Sequence, residues 1–211
     1  MKSIKIFYVA NVIDSLNKGW LKATIEEQGE VYIPFSTKVD LLESMNDFEK
    51  IYILEGYYKG STAIIPYMLR HGKSHYSYLN SRMRLRSGPT IRIKGERLFF
   101  GQYLFKVMID RTVLNKKKYS IKFPVRTSKI LPKDYLDETK GGSRFAETWF
   151  PIQADDDLYP EKYLHLGSIS KGCITVEYNP RDRSNLWNVL YLKLMRSRLN
   201  DINLGYLAIE K

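Results

Sequence analysis

The segment YLHLGSISKGCITV, Tyr163 to Val176, holds the one cysteine of the chain, Cys173, and one of its three histidines, His165. Gly167, Ser168, Ser170, Lys171 and Gly172 lie between them. Cysteine is a nucleophile as thiolate, and a free thiol is mostly protonated at neutral pH. A neighbouring imidazole can take that proton, and a nearby cation can favour the anion. If YLHLGS and GCITV are antiparallel strands joined around Ile169-Ser170-Lys171, His165 and Cys173 face each other at the strand ends. Gly172 would then let a substrate carbonyl approach the backbone. Amides around Lys171, Gly172 and Cys173 would hold an oxyanion, with the Lys171 cation beside them. The plainer account of the same residues is a small buried hydrophobe and a structural histidine. Residue types alone favour the plainer account, since one Cys and one His make a weak signature.

Short β-strands are expected to position these residues. ETWFPIQ (147–153), YLHLGS (163–168) and GCITVEY (172–178) read as strands, as do 90–95, 101–109 and 118–124, the last placed at an edge by Pro124. Residues 125–147 read as a long loop with one helical turn near 132–137. A helix follows over SNLWNVLYLKLMRSRL, capped by Ser184 or Asn185, with a basic last turn that suits the helix dipole. YLAIE closes the chain as a strand. Upstream, 2–13, 19–35 and 49–58 read as strands, with a turn at Gln28-Gly29. Val39, Leu42, Met45 and Phe48 fall at helical intervals, which predicts a short amphipathic helix over 37–48. Residues 61–72 are ambiguous around Pro66. The expected organisation is an N-terminal β-rich module over 1–86 and a second domain over 87–211, mainly β with a C-terminal helix.

The chain has 211 residues, 44% of them apolar, and 16 tyrosines, enough to bury a core rich in strands. Its formal charge of +11 favours anionic partners without choosing among nucleic acid, lipid and wall polymer. A single cysteine excludes an intramolecular disulfide. No apolar run is long enough for a membrane span or a signal peptide, so synthesis as a soluble cytoplasmic protein is expected.

Ser170-Lys171-Gly172-Cys173-Ile174-Thr175-Val176 resembles the S-x-G-C-apolar core of the L,D-transpeptidases, which remodel bacterial peptidoglycan through a cysteine acyl-enzyme. His165-Leu166-Gly167 is similar to a one-residue variant of the family's upstream His-Gly pair. Thr148-Trp149-Phe150 and the Trp-bearing helix add to the likeness, which covers residues 88–211 and is sharpest over 163–176. Lys171 stands where many members have His, and Thr175 where many have Arg. The shorter His-to-Cys spacing implies a trimmed loop. The resemblance implies a β-sandwich catalytic domain in which Cys173 attacks a stem-peptide amide and His165 acts as base and then acid. Ser170 would orient the turn or the imidazole, and Gly167, Ser168, Trp149 and Tyr163 would line the substrate. The implied reaction is L,D-transpeptidation or L,D-carboxypeptidase or endopeptidase cleavage. No metal or cofactor is required. The implied substrate is a peptidoglycan stem peptide or muropeptide. With no export signal, the location implies either a specialised secretion machine, delivering a wall-damaging effector with an immunity protein, or action on cytosolic wall precursors.

The alternative of another class is a non-catalytic basic module on a decayed enzyme fold, binding nucleic acid or wall polymer. RMRLR (82–86), NKKKY (115–119) and the RSR of the last helix carry it. The even spread of Lys and Arg and the lack of a known binding module rank nucleic acid lower. His71 and His75, at i, i+4, lack a third ligand, and Asp155-Asp156-Asp157 lacks the Gly and distal Glu of a calcium loop.

Overall fold

The computed structural model describes residues 5–70, 74–112, 114, 116–155, 162–170, 173–181 and 185–210. It divides into two compact units, Met1–Arg84 and Leu85–Lys211.

The first unit contains β1 (Ile6–Val9), β2 (Trp20–Ile25), β3 (Gly29–Pro34), β4 (Lys38–Ser44), β5 (Phe48–Ile53), β6 (Thr62–Pro66), β7 (Met68–Arg70), β8 (Ser74–Tyr76) and β9 (Leu79–Asn80). Seven of them form one sheet in the order β3-β2-β6-β5-β4-β1-β9, while β7 and β8 make a separate hairpin. In β2, Lys22 and Thr24 face solvent while Leu21, Ala23 and Ile25 are buried, the period-2 pattern of a half-buried strand. Gly29 supplies the positive φ of 73° that turns β2 into β3. The helix expected over 37–48 is instead β4, paired with β1 and β5. A bulge between Leu41 and Glu43 resets the alternation. It leaves Leu42 and Met45 exposed, and their spacing imitates a helical stripe.

The second unit contains β10 (Arg86–Ser87), β11 (Thr90–Lys94), β12 (Arg97–Phe100), β13 (Tyr103–Ile109), β14 (Lys118–Lys122) and β15 (Val125–Arg126). A short helix α1 (Lys133–Leu136) and a 3-10 turn (Glu138–Lys140) follow. Then come β16 (Thr148–Gln153), β17 (Lys162–Gly167), β18 (Ile174–Glu177), α2 (Leu186–Met195), β19 (Ser197–Arg198) and β20 (Asn203–Glu210). Strands join in the order β14-β20-β11-β12-β13-β18-β17-β16, and β16 pairs back onto β14 to close an eight-strand barrel. The unit is therefore mainly β with a helix near its C-terminal end, and its hydrogen bonding closes a ring. Closure removes the open edges that a sheet of this size would expose. It also corrects the edge position expected for 118–124: β14 is paired on both sides, and Pro124 falls just past its end, where no ladder donor is needed.

Helix α2 buries Trp187, Leu190, Tyr191, Leu194 and Met195. Tyr191 stacks on Phe145 with centroids 4.0 Å apart, and Phe150 of β16 meets Trp187 edge-on at 6.0 Å. The Trp187 indole N–H donates to Phe145 O at 3.0 Å, so the ring is buried without an orphaned donor. Asn185 holds the N-cap position in a left-handed conformation, φ 50°, and its side chain makes no cap bond; Ser184 lies outside the described residues. Arg198 serves the other end, donating to Met195 O and Ser197 O. No helix among the described residues is long and apolar enough to cross a membrane.

Candidate active site

Strands β16, β17 and β18 place the site. Phe150 pairs with Leu164, and Leu164 with Ile174. Side chains alternate along each strand, so Phe150, Leu164, Leu166, Ile174 and Val176 share one face, all of them buried. The opposite face carries Trp149, Tyr163, His165, Gly167 and Thr175. Cys173 immediately precedes β18, beside the Tyr163 backbone of β17.

The pairing differs from the expected hairpin. β17 and β18 are parallel, with His165 opposite Thr175 rather than Cys173. Parallel neighbours usually need a crossover of about a dozen residues or more. Here only residues 168–173 separate the two strands, and the described part of that connection is tied back to its neighbours. Thr175 Oγ1 donates to Ile169 O at 3.1 Å, and Ser170 Oγ donates to Cys173 O at 2.6 Å. The Ser168 and Tyr135 hydroxyls lie 2.5 Å apart and tie the start of the connection to α1. Cys173 is 8% and His165 7% exposed. Lys171 and Gly172, the expected cation and oxyanion backbone, lie outside the described residues.

The imidazole is tightly held. Its ring stacks on Trp149, centroids 4.3 Å apart and planes 18° apart, and Trp149 also contacts the Tyr163 ring at 5.5 Å. A Cβ built on Gly167 would lie 3.1 Å from Thr175 Cγ2 and 3.4 Å from His165 Cε1. Gly167 therefore serves the packing of the imidazole, whatever it offers a substrate. His165 Nδ1 lies 2.9 Å from Leu166 O, and a carbonyl can only accept, so Nδ1 carries the proton. Nε2 is then the acceptor nitrogen. The Thr175 hydroxyl lies 3.3 Å from Nε2 and has one proton, which the nearer Ile169 carbonyl contests. The Nε2 lone pair is only loosely engaged.

Burial holds the His165 pKa below its ordinary value, the Lys129 charge adds to that shift, and the Leu166 hydrogen bond opposes it. His165 is therefore neutral at pH 7. Burial pushes the Cys173 thiol up, while a hydrogen bond from the Tyr163 backbone and the Lys129 charge favour the thiolate. Among the described residues neither imidazole nitrogen hydrogen-bonds the sulfur. The resting pair is neutral thiol and neutral imidazole.

Lys129 is the functional candidate that sequence reasoning missed. Its Nζ lies 4.9 Å from the Trp149 ring centroid, and its charge acts on both His165 and Cys173. It belongs to a charged loop with no motif, and only the fold brings it to the site. Among the described residues no three His, Cys, Asp or Glu side chains gather to hold a metal. Asp155 is exposed, and His75 lies on β8; His71, Asp156 and Asp157 fall outside the described residues. Comparison of the chain with protein-family models, with curated proteins and with solved structures finds no match.

Proposed function

We propose that the second unit is a divergent enzyme of the L,D-transpeptidase kind, with a closed barrel in place of the family's β-sandwich, and that it performs cysteine-dependent acyl transfer on peptidoglycan stem peptides. The observation that carries this reading is the junction of β17 and β18, where a neutral His165 stacks on Trp149, Cys173 lies at the start of the neighbouring strand, and the Lys129 charge acts on both. The thiol sulfur attacks the amide carbonyl carbon, and its proton passes to Nε2 of His165. The oxyanion formed calls for backbone N–H donors, and the amide of Cys173 is the described candidate. When the C–N bond breaks, the imidazolium returns the proton to the leaving amine, and a thioester remains on Cys173. An amine acceptor then gives transpeptidation, and water gives hydrolysis. Trp149, with Leu166 O, fixes the imidazole plane, and Lys129 favours the developing negative charge. The chain would reach a wall substrate through a specialised secretion route as an effector, or meet wall precursors in the cytoplasm.

Mass spectrometry of defined disaccharide tetrapeptides and their dimers, incubated with the protein and with Cys173→Ala, tests the reading. Loss of the terminal D-amino acid, with or without new cross-links, is expected from the wild type alone. Turnover by Cys173→Ala, or none by either protein, rejects it.

The burial of Cys173 and the absence of a thiol–imidazole hydrogen bond favour a second reading, a non-catalytic basic module. In that case Cys173→Ala leaves affinity for wall polymer or nucleic acid unchanged.

A further inference from the structure

Arg86 and the Arg196–Arg198 run, far apart in the sequence, meet in the second unit. β10 pairs in parallel with β19, Arg86 opposite Ser197 and Ser87 opposite Arg198, and Arg86 N donates to Arg196 O at 2.8 Å. The junction borders a pocket of about 230 Å3 lined by Arg86, Lys193 and Arg196, with Ser87 and Ser197 at its polar side and Phe100 among its apolar residues. No acidic side chain lines it among the described residues.

Cations near a helix C-terminus have an ordinary explanation, satisfaction of the last carbonyls. Here Arg198 already does that, through Met195 O and Ser197 O, with its guanidinium 4.5 Å from the Phe123 centroid. The Ser197 hydroxyl likewise donates to Lys193 O. Arg86 comes from a different element, and its guanidinium makes no hydrogen bond or ion pair among the described residues. Lys193 Nζ has only ring contacts there, 4.7 Å from the Tyr103 centroid and 6.0 Å from that of Phe100. Like charges gathered around one cavity repel, and an anion entering it relieves the repulsion. Guanidinium groups match the oxygen geometry of phosphate and bind it in bidentate fashion.

We propose that this pocket binds a phosphate-bearing small molecule with a flat apolar group, the phosphate between Arg86, Arg196 and Lys193 and the apolar group against Phe100. The site is independent of Cys173.

Calorimetric titration of the full chain with phenyl phosphate and with inorganic phosphate, at low salt, tests it. Saturable one-to-one binding of phenyl phosphate, tighter than inorganic phosphate, is expected. Arg86→Gln and Arg196→Gln, both at exposed positions, each weaken it by about tenfold, and added salt weakens it further. Absence of saturable binding, binding that both variants retain, or equal binding of the two anions overturns the proposal. Co-sedimentation with phosphatidic acid vesicles separates the sources of phosphate. Vesicle binding that is lost in the variants, in a protein that ignores phenyl phosphate, assigns the cations to a lipid surface and also overturns it.

Discussion

A buried thiol starts from the protonated form, and this bears on the chemistry open to Cys173. Burial raises its pKa above the ordinary thiol value, so the thiolate fraction is small at pH 7 and grows only as pH climbs past that value. Alkylation of Cys173 by iodoacetamide, followed by mass spectrometry across pH, is expected to show a midpoint above that of a free cysteine. Lys129→Gln removes a cation that favours the thiolate and moves the midpoint further up. A midpoint at or below the free-thiol value, or one that Lys129→Gln leaves in place, contradicts this account. The same substitution removes a charge that opposes protonation of His165, so the imidazole pKa rises toward its usual value. The cysteine, the histidine and the intervening glycines and serines could be singled out as candidates because their types and proximity in sequence are local features. Lys129 could not, because a lysine in a charged loop has no local signature until the fold aims it at Trp149.

At the scale of elements, parallel pairing decides which side chains meet. A hairpin and a tight parallel return use the same strand residues and differ only in how the connection runs. Local sequence therefore placed β17 and β18 but did not orient them. The parallel return sets His165 opposite Thr175 and the Tyr163 backbone against the Cys173 sulfur. Strand β4 shows the opposite failure, a bulge whose reset alternation looks helical. Close approach of β20 to the start of β11 is a further constraint. A Cβ on Gly205 would lie 2.5 Å from Pro89 O, while Tyr206 N donates to that same oxygen at 2.8 Å. Gly205→Ala must therefore push two backbones apart, at an expected cost of roughly 2–4 kcal/mol in urea unfolding. Gly95→Ala is the control. It places a Cβ in open space at φ 61° and costs about 1 kcal/mol, from conformation alone. Equal losses at the two glycines would mean that the contact at Pro89 does not matter.

For the whole molecule, each unit has its own core. Val39, Ile51 and Ile65 are fully buried in the first, and Phe150, Leu164 and Tyr191 in the second. The barrel closes entirely within Leu85–Lys211. A fragment spanning residues 85–211 is expected to unfold cooperatively by circular dichroism and to alkylate at Cys173 as slowly as is expected of the full chain. A fragment without a cooperative transition, or with a fully reactive thiol, would show that the second unit depends on the first. Arg86 belongs with the second unit because β10 finds its partner in β19, a pairing across most of that unit's sequence that no local signal announces.

Composition and period by themselves determined that the chain is mainly β, that a helix lies near its C-terminus, and that Cys173 and His165 fall within one short stretch. Those properties are local: a strand's alternation, a helix's apolar stripe and a motif's residue types are written within a few neighbouring positions. Ring closure through β14 and β16, the parallel return between β17 and β18, the Lys129 charge over Trp149 and the meeting of Arg86 with Arg196 were decided only in three dimensions. Each joins segments whose pairing depends on which distant partner satisfies their backbone groups and buries their apolar faces, and that choice is made by the fold as a whole.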